Sequence, residues 1–103
     1  HNNDHREKYD LCLARALSNI STLNEFALPF LKLSGVAFYI KGKIISKEII
    51  ESEFSAKVLG GSLSNYSTVT DMSSIVIYNK VRYTPKSYPR KVGIPKKSPL
   101  ELS

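Results

Sequence analysis

Residues 36–40 of this 103-residue chain read VAFYI, an uninterrupted apolar run between the turn signal Ser34-Gly35 and the polar segment KGK at 41–43. Apolar runs of about four to eight residues that are bounded by turn residues are typical of strands buried on both faces. Such a strand needs cover on both sides of its sheet. We therefore predict a layered α/β fold around this segment.

A strand and a helix are predicted upstream of this run. Residues 9–14, YDLCLA, are apolar behind a polar pair, and we interpret them as a second strand buried on both faces. Apolar residues then recur at helical spacing as far as Leu31, and Thr22 with Glu25 fits a capping box at the start of a helix. Pro29 should bend or shorten this helix near its end.

A second helix is predicted downstream of the run. Ser46 opens it, Lys57 lies near its end, and Gly60 with Gly61 follows as a helix stop rather than a ligand loop. We assign the apolar positions of this helix to the core: Ile49, Ile50, Phe54 and Val58. Its acidic positions are assigned to the solvent side, with acid–base chemistry a distant second reading: Glu48, Glu51 and Glu53.

Two further strands complete the predicted fold. Residues 63–69 alternate weakly, and residues 74–81, SIVIYNKV, form a stronger strand. Strand–helix–strand crossovers indicate a mainly parallel sheet, whereas the last two strands are too close to be parallel neighbours, so the last is antiparallel. Two helices cannot cover both faces of four strands. We therefore predict half of a doubly wound domain at residues 1–81, followed by a basic tail at residues 82–103.

The positive charge of the chain is concentrated in this tail. The net charge is +6, yet residues 1–71 balance eight acids with eight bases, and no acid lies between Asp71 and Glu101. The cations of the basic stretch are Lys80, Arg82, Lys86, Arg90, Lys91, Lys96 and Lys97. Such a field attracts polyanions, although a solvated tail kept polar for solubility would look similar. Tyr83, Tyr88 and three interleaved prolines favour nucleic acid, because tyrosine stacks on unpaired bases and proline keeps the chain extended.

Several classes of protein are excluded by composition. The longest apolar run, residues 26–31, is far shorter than the roughly 20 residues of a membrane span, and no secretory signal is present. The single cysteine, Cys12, has no partner for an internal disulfide and is interpreted as a packed apolar residue. Neither a phosphate-binding glycine motif nor a nucleophile triad occurs, and His1 and His5 have no cysteine pair with which to bind zinc. The chain begins without Met, so we expect it to be processed or a piece of a longer protein.

Arg15 is the one candidate ligand contact within the predicted sheet. It directly follows the apolar run at 9–14 and so stands at the carboxyl end of the first strand. Ligands of open α/β sheets bind at this edge, which makes Arg15 a candidate for such a contact. The alternative is a structural ion pair with Asp10 or Glu25.

Motifs along nearly the whole chain resemble the RsmG (also called GidB) family, bacterial methyltransferases that use S-adenosylmethionine to modify guanine N7 of 16S ribosomal RNA. The matching segments are YDLCLARAL at 9–17, LPFLK at 28–32, YIKG at 39–42, LGG at 59–61 and TPKSYPRKVGIPKKSPL at 84–100. The last segment resembles the family's terminal TPKxYPRKxGxPxKxPL and is the most specific of the five. Ser34, Val92 and Ile94 depart from the family pattern, but none of them removes a proposed contact.

The resemblance implies the C-terminal half of a Rossmann-like, S-adenosylmethionine-dependent methyltransferase, located in the bacterial cytoplasm or a plastid. The family's glycine-rich cofactor loop would lie upstream, so only Arg15 carries over as a cofactor-binding residue, and we expect this chain alone to methylate nothing. Guanine N7 carries an in-plane lone pair and no proton, which fits a chain with no catalytic acid or base.

The partner implied by the resemblance is ribosomal RNA or the small ribosomal subunit, with no membrane and no metal. The candidate RNA-binding residues all lie in the tail: Lys86, Tyr88, Arg90, Lys91, Lys96 and Lys97. Two alternatives stay open from the sequence. The chain could be a non-catalytic RNA-binding or ribosome-assembly module derived from the same fold, or a structural fragment without independent activity.

Overall fold

The computed structural model describes residues 6–15, 19–43 and 46–88. Its helices and strands, in chain order, are β1 (Tyr9–Arg15), α1 (Ile20–Ala27), β2 (Leu31–Lys41), α2 (Ser46–Val58), β3 (Gly61–Thr70) and β4 (Ser73–Lys80). A short 3₁₀ turn, Leu28–Phe30, joins α1 to β2. The predicted order of strands and helices is confirmed. None of the described helices is long and apolar enough to cross a membrane.

The four strands form one mixed sheet with the order β1-β2-β4-β3. β1 and β2 are parallel, whereas β4 is antiparallel to both of its neighbours. Three strands therefore run in one direction and the last strand in the other, as predicted, but only one of the three neighbouring pairs is parallel, so the described sheet is mixed rather than mainly parallel. The position of β4 between β2 and β3 was not predicted: the short turn after β3 makes β4 a neighbour of β3, and β4 also pairs with β2.

Only one face of this sheet is covered by the helices of the described residues. Ala37 and Tyr39 of β2 are buried on that face, as is Tyr78 of β4. On the opposite face, Leu11 and Leu13 of β1 are 52% and 68% exposed. The prediction of burial on both faces is therefore wrong for Leu11 and Leu13 of β1 and, on β2, for Ile40, which is 42% exposed. The reason is topological: successive right-handed crossovers that advance in one direction place their helices on the same face.

The start of α1 differs from the predicted capping box. The helix begins at Ile20, and the side chain of Asn19 accepts a hydrogen bond from the backbone N–H of Thr22 at 2.8 Å. Thr22 and Glu25 are themselves buried, so they belong to the packed side of the helix rather than to its cap. Pro29 lies in the 3₁₀ turn just beyond the helix, which confirms that it shortens α1.

Ser34 and Gly35 do not form a turn before the strand, as the sequence predicted. β2 runs through them, and Ser34 adopts a positive φ of 72° where the pairing register with β1 shifts. The turn signal therefore marks an irregularity inside one long strand. Gly35 is packed so closely that an added Cβ would lie 2.9 Å from the carbonyl oxygen of Lys32.

Helix α2 has its predicted ends but not its predicted buried face. Ser52, Ser55 and Ala56 are buried against the rest of the protein, whereas Ile50 is 52% exposed. A polar network between the helices and the sheet explains this reversal, because Ser52 accepts the hydroxyl of Tyr78 and Ser55 accepts an N–H of the Asn24 side chain. The assignment of the apolar positions of α2 to the core is thus wrong for Ile50.

This buried polar network links both helices to the sheet. The Tyr39 hydroxyl donates to Asn24 Oδ1 at 2.8 Å, and Asn24 Nδ2 donates to the Ser52 carbonyl at 3.1 Å and to Ser55 Oγ at 3.0 Å. The Tyr78 hydroxyl donates to Ser52 Oγ. Burial raises the pKa of Tyr78 to about 12 and that of Tyr39 well above its usual value, so both rings remain hydrogen-bond donors at neutral pH.

Candidate functional site

Arg15 lies where the sequence predicts it, at the carboxyl end of β1. It pairs in register with Ile40 of the parallel strand β2, so the carboxyl ends of both strands meet at this edge. Arg15 is exposed and, by strand alternation, shares the uncovered sheet face with Leu11 and Leu13. A guanidinium here can bind a carboxylate or phosphate from the edge at which ligands of open α/β sheets bind.

The structural alternatives for Arg15 are not favoured by the geometry. Asp10 instead pairs with Lys32, with 2.6 Å between the carboxylate oxygen and Nζ. Glu25 is buried in α1, which covers the opposite face of the sheet from Arg15. Arg15 therefore stays a candidate ligand contact.

Glu48 has a structural role at the same edge of the sheet. Its Oε2 accepts a hydrogen bond from the backbone N–H of Ile20 at 3.1 Å and pairs with Lys41 Nζ at 3.0 Å. The carboxylate thus joins the start of α1 to the end of β2. Its negative charge also interacts favourably with the positive end of the α1 dipole. The assignment of Glu48 to the solvent side of α2 was therefore wrong. Its contact with α1 could not be predicted from the sequence pattern of α2 alone.

Cys12 is a packed residue, as predicted. It lies on the helix-covered side of β1, and its Sγ contacts the carbonyl oxygen of Ala27 at 3.7 Å. Burial raises the pKa of the thiol, and the nearby positive charge of Lys80 partly opposes the shift. A thiol with a raised pKa is a poor nucleophile at neutral pH.

The segment that leads from β4 into the basic tail is bound just after the end of α2. The backbone N–H groups of Val81 and Arg82 both donate to the Gly60 carbonyl, at 2.8 and 2.9 Å, and Thr84 Oγ1 donates to the Leu59 carbonyl at 2.5 Å. Gly60 has a φ of +92°, and an added Cβ would clash with the Arg82 carbonyl oxygen. Gly60 therefore ends the helix, as predicted, and also lets the tail pass close to it.

Arg6 and Glu7 then hold the next part of the tail, and together with Lys80, which pairs with Glu7, we call them the anchor cluster. Arg6 Nη2 donates to the carbonyls of Thr84 at 2.7 Å and Pro85 at 2.8 Å, and its Nη1 donates to the Tyr88 carbonyl. Glu7 Oε2 accepts from the Thr84 N–H at 2.8 Å and pairs with Lys80 Nζ at 3.1 Å. Arg6 and Glu7 therefore bind backbone groups of the tail, and Lys80 contributes to this attachment through its ion pair with Glu7.

Lys80 is the buried member of the anchor cluster. Its side chain is 0% exposed, and its Nζ donates to the carbonyls of Leu28 at 2.7 Å and Leu31 at 2.8 Å besides pairing with Glu7. Burial lowers the pKa of Lys80, and its interactions with Glu7 oppose that shift. Lys80 is thus a structural cation, whereas the sequence counts it among the cations of the tail.

The predicted RNA-binding residues fall into three groups. Lys86 is exposed in a turn closed by a hydrogen bond from the Tyr88 N–H to the Pro85 carbonyl at 3.0 Å. Tyr88 is half-buried and packs against the core, whereas Tyr83 is 67% exposed. The remaining four lie outside the described residues, and their role stays a prediction: Arg90, Lys91, Lys96 and Lys97.

The structure does not bring Arg15 and the start of the tail together. Arg6 and Glu7 precede β1, and Arg15 ends it. The two candidate regions therefore lie at opposite ends of the strands. Seven residues of β1 separate these ends, which corresponds to roughly 20 Å of extended chain. Among the described residues, no group of three or more His, Cys, Asp or Glu side chains could share a metal ion.

Comparison with known proteins gives a consistent result. The family model described as GidB, rRNA small subunit methyltransferase G, matches residues 1–76. Ribosomal RNA small subunit methyltransferase G of Desulforamulus reducens is 43% identical over 102 residues, which cover 94% of this chain and 42% of that protein. The proteins of the same name from Brevibacillus brevis and Clostridium botulinum strain Loch Maree are 43% and 41% identical, over 93% and 95% of this chain and 42% and 43% of their own lengths. The chain spans less than half the length of the curated relatives it matches.

Proposed function

The chain belongs to the rRNA small subunit methyltransferase G family, and on that premise we propose that it is the C-terminal half of an S-adenosylmethionine-dependent 16S ribosomal RNA guanine-N7 methyltransferase. The observation that carries this proposal is the match of nearly the whole chain to relatives about twice its length. A half-length chain of this kind is expected to be inactive without the other half.

The uncovered face of the sheet supports the half-domain reading. Leu11 and Leu13 expose apolar surface on β1, and β1 is one of the two edge strands of the described sheet. We propose that the complete domain is Rossmann-like and that an upstream half covers this face. We retain residues 1–81 as the half-domain and 82–103 as the tail, with the first residues of the tail bound to the domain through Thr84.

Arg15 is proposed to contact the cofactor. Its exposed guanidinium at the carboxyl end of a parallel strand suits a carboxylate or another acceptor of S-adenosylmethionine. When bound, S-adenosylmethionine supplies a methyl group already activated by a sulfonium. Guanine N7 offers a lone pair and no proton, so the residues of this chain need only bind and orient, an effect that can contribute about 7–11 kcal/mol.

The role of Arg15 is tested by Arg15→Ala in the full-length protein. Loss of a charged hydrogen-bond donor is expected to weaken S-adenosylmethionine binding by about 10- to 100-fold, since such bonds contribute about 1.5–3 kcal/mol. Isothermal titration calorimetry measures the affinity. Lys8→Ala removes the same charge at the opposite edge of the sheet and should leave it unchanged. An affinity for Arg15→Ala equal to that of the wild type contradicts the assignment.

The tail is tested by the salt dependence of RNA binding. We expect replacement of Lys86, Arg90, Lys91, Lys96 and Lys97 by Gln in the full-length protein to weaken binding of a 16S ribosomal RNA fragment. The slope of log affinity against log salt should become shallower by about 3–4, because each lost phosphate contact removes about 0.7 from the slope.

A matched control is available for the tail variant. Five exposed lysines outside the tail give the same change in net charge when replaced by Gln: Lys8, Lys32, Lys43, Lys47 and Lys57. This control should leave the slope closer to the wild-type value than the tail variant does. An unaltered salt slope for the tail variant would show that the tail is a solvated segment that does not bind RNA phosphates.

A further inference from the structure

Two adjacent side chains just before β1 make most of the side-chain contacts that hold the start of the tail. Arg6 donates to three tail carbonyls, those of Thr84, Pro85 and Tyr88, and Glu7 accepts from the Thr84 N–H. These contacts join residues 77 to 82 positions apart in the sequence. The whole turn that carries Lys86 is thereby attached to the amino-terminal edge of the sheet.

The chemistry of these contacts requires an arginine at position 6. Three carbonyl oxygens arranged around one cation need N–H donors that point in several fixed directions, which the planar guanidinium supplies and a lysine ammonium on a flexible stem does not. Arg6 also lies 3.7 Å from Glu7, so the two charges orient each other. The guanidinium is thus occupied by backbone groups of the same chain.

Attachment of the turn fixes where the tail leaves the domain. Lys86 is exposed at the tip of the turn, while Tyr88 packs against the core behind it. A segment that is ordered before binding loses less conformational entropy when its cations contact phosphates. Without Arg6 and Glu7, the same segment would have to be ordered at the moment of binding.

We propose that Arg6 and Glu7 are positioning residues for RNA binding, which hold the Thr84–Tyr88 turn so that Lys86 and the start of the basic tail are presented to ribosomal RNA at the end of the sheet where β1 begins. The inference rests on the proposed function of the tail and goes beyond it, since neither residue contacts RNA itself. It assigns a role to two residues that lie just before β1, at the opposite end of that strand from Arg15.

The first test compares Arg6→Gln with Lys8→Gln in the full-length protein, two variants with the same charge loss. Arg6→Gln should weaken binding of a 16S ribosomal RNA fragment about tenfold and speed amide hydrogen exchange at residues 84–88, with an unchanged salt slope and unchanged S-adenosylmethionine affinity. Arg6→Lys keeps the charge and should still weaken binding. A slope that becomes shallower by about 0.7–0.9 for Arg6→Gln would mean that Arg6 itself contacts phosphate, which overturns the proposal.

The second test is a double-mutant cycle between Arg6 and the tail. If Arg6 acts through the tail, Arg6→Gln should cause no further loss of RNA affinity in the variant that lacks Lys86, Arg90, Lys91, Lys96 and Lys97. A full tenfold loss in that background shows general destabilisation and overturns the positioning role. If the tail variant itself binds RNA normally, the proposed function of the tail fails, and the inference fails with it. If the tail variant binds poorly but Arg6→Gln binds normally, the inference alone fails.

Discussion

Replacing Lys80 with Met is expected to lower the free energy of unfolding by about 3–5 kcal/mol, the cost of removing one partner from a buried ion pair. The substitution leaves the carbonyl oxygens of Leu28 and Leu31 without their shared donor and removes the nearer of the two cations that pair with Glu7. The Met side chain fills a similar volume, so the loss comes from unsatisfied polar groups rather than from a cavity.

Urea unfolding of the full-length protein measures this loss, and Lys47→Met is the matched control. Lys47 is exposed in the first turn of α2, so the same substitution there should change the stability by no more than about 0.5 kcal/mol. A Lys80→Met protein as stable as this control would show that the buried ammonium contributes no net stability.

Asn24→Ala is expected to cost about 2–4 kcal/mol of folding free energy. The substitution removes the acceptor of the Tyr39 hydroxyl and the donor to the Ser52 carbonyl and Ser55 Oγ, all within a fully buried network. Each buried polar group left unsatisfied costs about 1–3 kcal/mol, and the truncated side chain adds a small cavity. Because burial raises the pKa of Tyr39, its hydroxyl stays protonated at neutral pH and still needs a hydrogen-bond acceptor.

The control for this prediction is Asn65→Ala on β3. Asn65 is exposed, so the identical change of side chain should be nearly neutral in thermal unfolding. Tyr39→Phe removes only the hydroxyl and should fall between the two variants. Equal unfolding temperatures for Asn24→Ala and Asn65→Ala would refute the importance of the network.

The fold features that could be predicted from the sequence are those encoded within one segment. The order of elements follows from local periodicity, and the stop of α2 at Gly60 follows from the conformation that glycine permits. The buried face of α2 could not be predicted in this way. The Ser52 side chain accepts the Tyr78 hydroxyl from β4, and the Ser55 side chain accepts the Asn24 amide from α1. Neither partner can be recognised in the sequence pattern of α2 itself.

The same distinction between local and long-range features applies to the residues of the candidate site. Arg15 could be placed at the ligand-binding edge because a crossover between parallel strands fixes which strand ends meet. The contacts of Arg6 with the tail could not be predicted, since they join residues about 80 positions apart. Lys80 did carry a readable signal, because it continues the alternation of the buried residues Val76 and Tyr78 along β4.

The central position of β4 has a consequence for synthesis of the protein on the ribosome. β4 emerges last of the four strands, yet it pairs with both β2 and β3 in the completed sheet. Until residues 73–80 have been translated, β3 lacks the neighbour to which it is hydrogen-bonded, and one edge of β2 stays open. Unpaired strand edges are templates for aggregation, so a nascent chain that stalls or terminates before Ser73 would be a substrate for chaperones and proteases rather than a stable shorter domain.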